Sequence, residues 1–240
     1  MTKHVLLNNI THQNLKIRTG YSEAFGDKVD CVLTFPTEFG DVQKEYPIFF
    51  QKNAETGKFQ SVAMLGLEKG ENLFLTKAGW QGRYIPGVIA RGPFLIGFQD
   101  QSASGGSDRA AVIHVDMDSP RVNEEQGEPV FLTHGGNSPY IEHVNSVLSG
   151  IQDGMAVSEI MFSAFSALDL IEPITLDIEL NNGDQHRISG NYTISQDKLA
   201  ALKGEDLAKL NAAGILQGAF LVLASLNNVN RLIELKNAQL

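Results

Sequence analysis

SPYIEHVNSVLSGIQDGMAVSEIMFSAFSALDLIEPITLDIELNNGDQHRISGNYTI, residues 138–194, changes its hydrophobic period part-way along. In the first part Ile141, Val144, Leu148, Ile151, Met155, Phe162 and Phe165 recur at spacings of three, four or seven, one apolar stripe on a helix. Ser138 offers a hydroxyl N-cap and Pro139 suits the first helical position, so the helix starts there. Pro173 ends the pattern, which predicts a helix over about 139–170. Beyond it the period falls to two. Ile174, Leu176, Ile178 and Leu180 alternate with Thr175, Asp177 and Glu179, giving one apolar and one wet face. Asn181-Asn182-Gly183-Asp184 supplies the φ-positive residues of a tight turn, and the return strand over 186–194 sets Ile188, Tyr192 and Ile194 on one face. The helix is expected to pack its stripe on the sheet that holds this hairpin.

Upstream, an extended lead-in over 1–28 alternates Leu15 and Ile17 with Lys16 and Arg18. A strand over 30–35 is closed by Pro36, and strands over 46–50 and 59–67 flank the turn-rich Asn53-Ala54-Glu55-Thr56-Gly57. Residues 65–98 combine Trp80, the only tryptophan, with Pro86, Pro93 and glycines at 66, 70, 79, 82, 87 and 92. Proline removes a donor and glycine permits close approach, so this segment reads as an ordered, buried, irregular crossover that core elements pack against. A strand over 94–98, a polar loop over 101–108 and a strand over 110–115 buried on both faces follow. Residues 119–136 carry Pro120, Pro129 and acidic residues, which predicts an exposed loop without regular elements. Downstream, Ser195 caps a short helix that Gly204 breaks, and Gly214 ends another. A final helix over 215–235 turns Arg231, Glu234 and Lys236 outward. The fold class is α+β: a β-rich N-terminal portion with antiparallel hairpins, then a long helix, a β-hairpin and C-terminal helices. The chain reads as a single domain over 1–240, or as two intimate lobes of about 1–118 and 119–240.

A formal net charge of −9, with 28 acidic against 19 basic residues and no basic run, argues against nucleic acid or an anionic membrane as partner. The single cysteine, Cys31, cannot form an intramolecular disulfide and reads as a small buried hydrophobe. The apolar run Val5-Leu6-Leu7 is too short for the h-region of a secretory signal, and 218–226 falls short of the ~20 residues that cross a bilayer. A cytoplasmic location is expected, or the cell surface by a route without a cleaved signal peptide.

Tyr46-Pro47-Ile48-Phe49-Phe50, Ala63-Met64-Leu65-Gly66-Leu67, Gly70-Glu71-Asn72-Leu73-Phe74, Arg83-Tyr84-Ile85-Pro86 after Trp80, and Pro93-Phe94 resemble, in their order and spacing, the bacterial SapC family. So do Asp116-Met117-Asp118-Ser119-Pro120-Arg121, the Glu172-Pro173 hairpin and Gly190-Asn191-Tyr192-Thr193-Ile194. The family's name implies an association with bacterial surface layers, and the resemblance brings no catalytic residues with it.

Candidate sites are therefore weighed by residue. His114 and Asp116 form an HxD pair at a strand end, as in iron and 2-oxoglutarate oxygenases, with His134, His143 or His186 as third ligand; the alternative is an aspartate capping the next turn. His134-Gly135-Gly136-Asn137 stands before the long helix, where backbone donors can hold an anion or simply form a loop. His186 shares a face with Ile188 and reads as a partly buried side chain. Trp80, Arg83 and Tyr84 put a flat apolar face, a forked cation and a phenol within five residues, a ligand pocket that Glu38, Asp116 and Asp118 would close. In the structural alternative the aromatics are core anchors and Arg83 pairs with a buried carboxylate. No GxSxG, Walker, GxGxxG or CxxC motif occurs. Three functions follow: a non-enzymatic binding or accessory protein for a small ligand, peptide or partner protein, with no cofactor; a surface-layer component; or an oxygenase built on His114 and Asp116. Phe220-Leu221-Val222-Leu223 puts apolar groups all round the last helix, which is buried in its own core or forms a homodimer contact.

Overall fold

The structure, a computed structural model, describes residues 3–100 and 109–240. The lead-in supplies β1 (His4–Leu6) and β2 (Lys16–Ile17), and a 3-10 turn at Glu23–Phe25 precedes β3 (Cys31–Leu33) and α1 (Phe39–Val42). β4 (Ile48–Lys52) and β5 (Phe59–Met64) form the first hairpin, where the Asn53 side-chain oxygen accepts from the Glu55 and Thr56 N–H groups and Gly57 takes φ 67°. β6 (Leu75–Thr76), β7 (Gly79–Trp80) and α2 (Gly87–Ala90) punctuate the crossover. β8 (Phe94–Asp100) and β9 (Arg109–Asp116) pair along their length, and the polar loop expected over 101–108 lies outside the described residues. β10 (Val122–Asn123), β11 (Glu128–Pro129), α3 (Pro139–Ala167), β12 (Ile171–Glu179) and β13 (Gln185–Ile194) follow, then α4 (Gln196–Ala200), α5 (Gly204–Ala212), α6 (Leu216–Ser225) and α7 (Asn228–Asn237).

Every described pairing is antiparallel. One sheet has five strands in the order β12-β13-β4-β5-β3, another has three in the order β1-β9-β8, and β2 is held between β10 and β11. The fold is α+β, as the period change at the end of α3 predicts. Ser138 caps α3 through its hydroxyl, which accepts from the Ile141 N–H at 3.3 Å, and the chain leaves the helix through Asp169 at φ 53°. The β12–β13 hairpin keeps its apolar face inward: Ile178 and Leu180 are buried, and Ile174, Leu176 and Ile188 are half-buried against the core.

Two apolar cores result, and α3 serves both. Ile141, Val144 and Leu148 join Leu15, Ile17, Phe94, Val115 and Val130 in one. Met161, Phe162 and Phe165 join Phe49, Phe50, Val62, Val222 and Leu232 in the other. Residues on both sides of 118 contribute to each. Between Leu148 and Met161 the only buried residue of α3 is Gly154. Met155 is therefore no core residue despite its spacing; it is 56 % exposed because neither core reaches that turn.

Other expectations are corrected. β9 is not buried on both faces: Ile113 and Val115 face a core, while the His114 ring lies on the other side against Gly97. Residues 119–136 are not free of strands, because β10 and β11 clamp β2; a side chain at Gly127 would collide with the Ile17 carbonyl. Gly204 opens α5. The last helix breaks at Leu226 and Asn227. There the Ser225 hydroxyl donates to the Val222 carbonyl and accepts from the Ile48 N–H, and the Asn228 amide donates to the Gln43 and Tyr46 carbonyls. Arg231 folds over the Phe74 ring at 5.3 Å, and Lys236 bridges Glu68 at 2.9 Å and Glu71 at 2.6 Å, so neither points freely outward. Val222 is buried in the subunit's own core, whereas Phe220 is 54 % exposed.

Phe162 meets Phe50 edge-on at 5.0 Å and stacks on Phe59 at 5.9 Å. Phe162→Ala is expected to lower the unfolding free energy by about 3–5 kcal/mol in urea denaturation; a loss below about 1 kcal/mol would contradict its place in the core.

Candidate functional site

The crossover is tied down by two carboxylates. Glu38 accepts from the Tyr84 hydroxyl at 2.7 Å and the Gly87 N–H at 2.9 Å through one oxygen, and from the Thr34 hydroxyl at 2.8 Å through the other. Both oxygens of Glu45 accept from the Arg83 N–H. The Tyr46 hydroxyl donates to the Tyr84 carbonyl and accepts from the Trp80 indole N–H at 2.9 Å. Burial raises the pKa of both phenols, and the Glu38 charge raises that of Tyr84 further. A side chain at Gly82 would collide with the Tyr46 hydroxyl.

The structure thus brings Glu38, Trp80, Arg83 and Tyr84 together, but as a hydrogen-bonded knot in which the Glu38 carboxylate, the Trp80 indole and the Tyr84 hydroxyl already have partners. Arg83 meets its carboxylate through the backbone, and its exposed guanidinium has no acidic partner among the described residues. Asp116 ends β9 in the other sheet, Asp118 lies in the turn after it, and neither joins this knot. Asp116 accepts from the Asp118 N–H at 3.1 Å, the turn-capping alternative, and Asp118 accepts from the Lys3 N–H at 2.9 Å.

Among the described residues no three His, Cys, Asp or Glu side chains converge as a metal set. His134 and His143 are exposed, and His186 Nδ1 stands 3.8 Å from Glu68. At the start of α3 the Asn137 amide donates to Glu142 at 2.6 Å, placing a carboxylate near where an anion would bind.

Sequence reasoning missed a buried ion pair. Arg121 and Asp27 are only 5 % and 4 % exposed, and one guanidinium nitrogen donates to both Asp27 oxygens at 2.8 and 2.7 Å. Its other terminal nitrogen donates to the Arg18 and Gly20 carbonyls, and Phe25 and Tyr21 lie under the guanidinium at 4.6 and 5.3 Å. A polar pocket of about 400 Å³ opens beside it, with His4, Arg91, Asp116 and Ser119 in its walls. A lone arginine after a proline in a polar stretch carries no pattern that would reveal this.

A larger groove, about 1150 Å³, runs over the uncovered middle of α3. Leu148, Ile151, Met155 and Phe162 form its floor, the β8 edge with Leu95, Ile96 and Phe98 one wall, and Leu33, Phe35 and Phe59 the other. Gly154 lets Phe35 and Thr37 approach, since a side chain there would collide with both. Leu33, Met155 and Phe98 are 39 %, 56 % and 59 % exposed. Of the wall hydroxyls, Thr34 donates to Glu38 and Ser158 to the Gly154 carbonyl, while Ser61 is buried without a partner.

A family model described as SapC matches residues 7–232. The chain belongs to the SapC family. No curated protein and no solved structure matches it. The SapC match takes in both cores, the knot and the groove, so all of these lie within the family's domain.

Two outcomes are expected. Arg121→Ala leaves Asp27 buried and unpaired, and should cost about 3–5 kcal/mol by chemical denaturation; an effect under about 1 kcal/mol would show the pair to be dispensable. Burial, then the Asp30 charge, pushes the Cys31 thiol up to about 11. At pH 8 the native protein should react with a thiol reagent roughly 100-fold more slowly than the urea-unfolded chain, since the thiolate is the nucleophile. Equal rates would refute this.

Proposed function

We propose that this SapC protein is a binding protein and that it holds an apolar ligand in the groove over the middle of α3. The observation that carries the reading is that Met155, Phe98 and Leu33, three large apolar side chains from three elements, line one concavity instead of a core. Water gains little from such a surface, and a contiguous apolar concavity with few polar groups is the common form of a ligand site. Among the described residues no histidine lines the groove, and its one hydroxyl–carboxylate contact, Thr34 to Glu38, belongs to the hydrogen bonds that hold Tyr84 and Gly87, which favours binding over turnover. In this reading Trp80, Tyr84 and Glu38 are scaffold: Glu38 holds the Gly87 N–H and so fixes α2 beside the groove. The exposed Arg83 guanidinium, without an acidic partner among the described residues, is placed to meet a partner at the surface.

Binding of the neutral fluorescent probe N-phenyl-1-naphthylamine tests this. The wild-type protein should enhance its emission saturably, and Met155→Glu should weaken binding at least about tenfold, since an ionised carboxylate is costly on an apolar floor. Because Met155 is already largely exposed, the variant should unfold within about 0.5 kcal/mol of wild type. Unchanged probe affinity in the folded variant would sink the proposal.

A further inference from the structure

We infer that the groove takes a long-chain carboxylate, its head on Arg91 and its alkyl chain laid along α3; this rests on the groove being the binding site. Arg91 caps the C-terminal end of α2, which leans on α3: a Cβ at Gly87 would lie 3.4 Å from Ile151 Cγ1. Arg91, Val88 and Leu95 each line both the apolar groove and the polar pocket, so the guanidinium marks the junction of the two spaces. One of its nitrogens donates to the Phe94 carbonyl at 2.6 Å. No carboxylate of the described residues lies within 4.0 Å of it. Burial alone lowers its pKa, with no acidic neighbour offsetting the effect. The nearby Arg121 is paired with Asp27, and Asp116 shares the polar pocket, but among the described residues no carboxylate forms an ion pair with Arg91. A half-buried guanidinium at one end of an apolar groove is complementary to one anion on an apolar tail.

The floor from Leu148 to Ser166 covers eighteen helical rises, about 27 Å, which accommodates an extended fatty-acyl chain. An apolar peptide would use the open edges of β3 and β8 and the Ser61 hydroxyl for its backbone amides but leave the Arg91 guanidinium without an anion. A long-chain carboxylate supplies that anion, and its alkyl chain needs no hydrogen-bond partner.

The test is displacement of N-phenyl-1-naphthylamine by hexadecanoate and by hexadecan-1-ol, below their aggregation concentrations, from wild type, Arg91→Met and Arg91→Lys. Hexadecanoate should displace the probe from wild type at least about tenfold more tightly than the alcohol does, with affinity rising by up to about fourfold per methylene from dodecanoate upward. Arg91→Met should lose that preference and bind both amphiphiles alike, while Arg91→Lys should keep most of it. If hexadecanoate and the alcohol bind wild type equally, the head assignment is overturned and the groove reading stands; this comparison needs no variant. If a peptide of apolar residues displaces the probe and hexadecanoate does not, the ligand class is overturned. Probe binding that ignores Met155→Glu would instead overturn the groove reading itself.

Discussion

A helix of 29 residues, about 44 Å long, is more than either apolar core of this protein can cover. α3 is held at both ends: Ile141, Val144 and Leu148 in the core with β8 and β9, Met161, Phe162 and Phe165 in the core with β4, β5 and β13. Each end is fixed by burial of large apolar groups, so the middle has no freedom to move under cover. Between those ends only Gly154 is buried, and it is buried because Phe35 and Thr37 press against its bare Cα. The groove is the space where strands of two sheets flank the middle of one helix.

The polar contacts serve this arrangement. Glu38 joins Thr34, at the end of β3, to Tyr84 and Gly87, and thereby sets α2 against α3 and Arg91 at the groove's end. Asp27 and Arg121 hold the lead-in to the segment after β9. A buried pair of this kind adds little net stability over an apolar replacement, yet removing one partner leaves a charge without water or counter-ion. Its effect is to fix two irregular segments in one register, with the polar pocket opening between them.

The sequence made the helix, the hairpins and the turn at Asn53 legible because each has a period or a turn residue with a local physical cause. The 3.6-residue stripe places Met155 on the right side of α3, but spacing reports a direction, and only the tertiary arrangement decides whether anything lies in that direction. Strands of two residues, such as β10 and β11, are too short to have a period. The break after α6 depends on Ser225 and Asn228 finding partners in the chain around Gln43 to Ile48, far away in sequence. Trp80, Tyr84 and Glu38 were legible as neighbours; that their donors and acceptors are used on one another is a matter of ångströms. Arg91 stands out least, one cation in a glycine- and proline-rich segment, because its distinction is that no carboxylate of the described residues pairs with it in three dimensions.

The methionine methyl groups give the most direct measurement. With ¹³C-methyl labelling, Met155 reports the groove floor, Met64 and Met161 the core with β4 and β5, and Met117 the core with β8 and β9. On titration with hexadecanoate the Met155 methyl resonance should shift saturably while Met64 and Met117 stay in place. A Met155 signal that does not move, or shifts confined to Met117, would contradict the view that the uncovered middle of α3 is a binding surface.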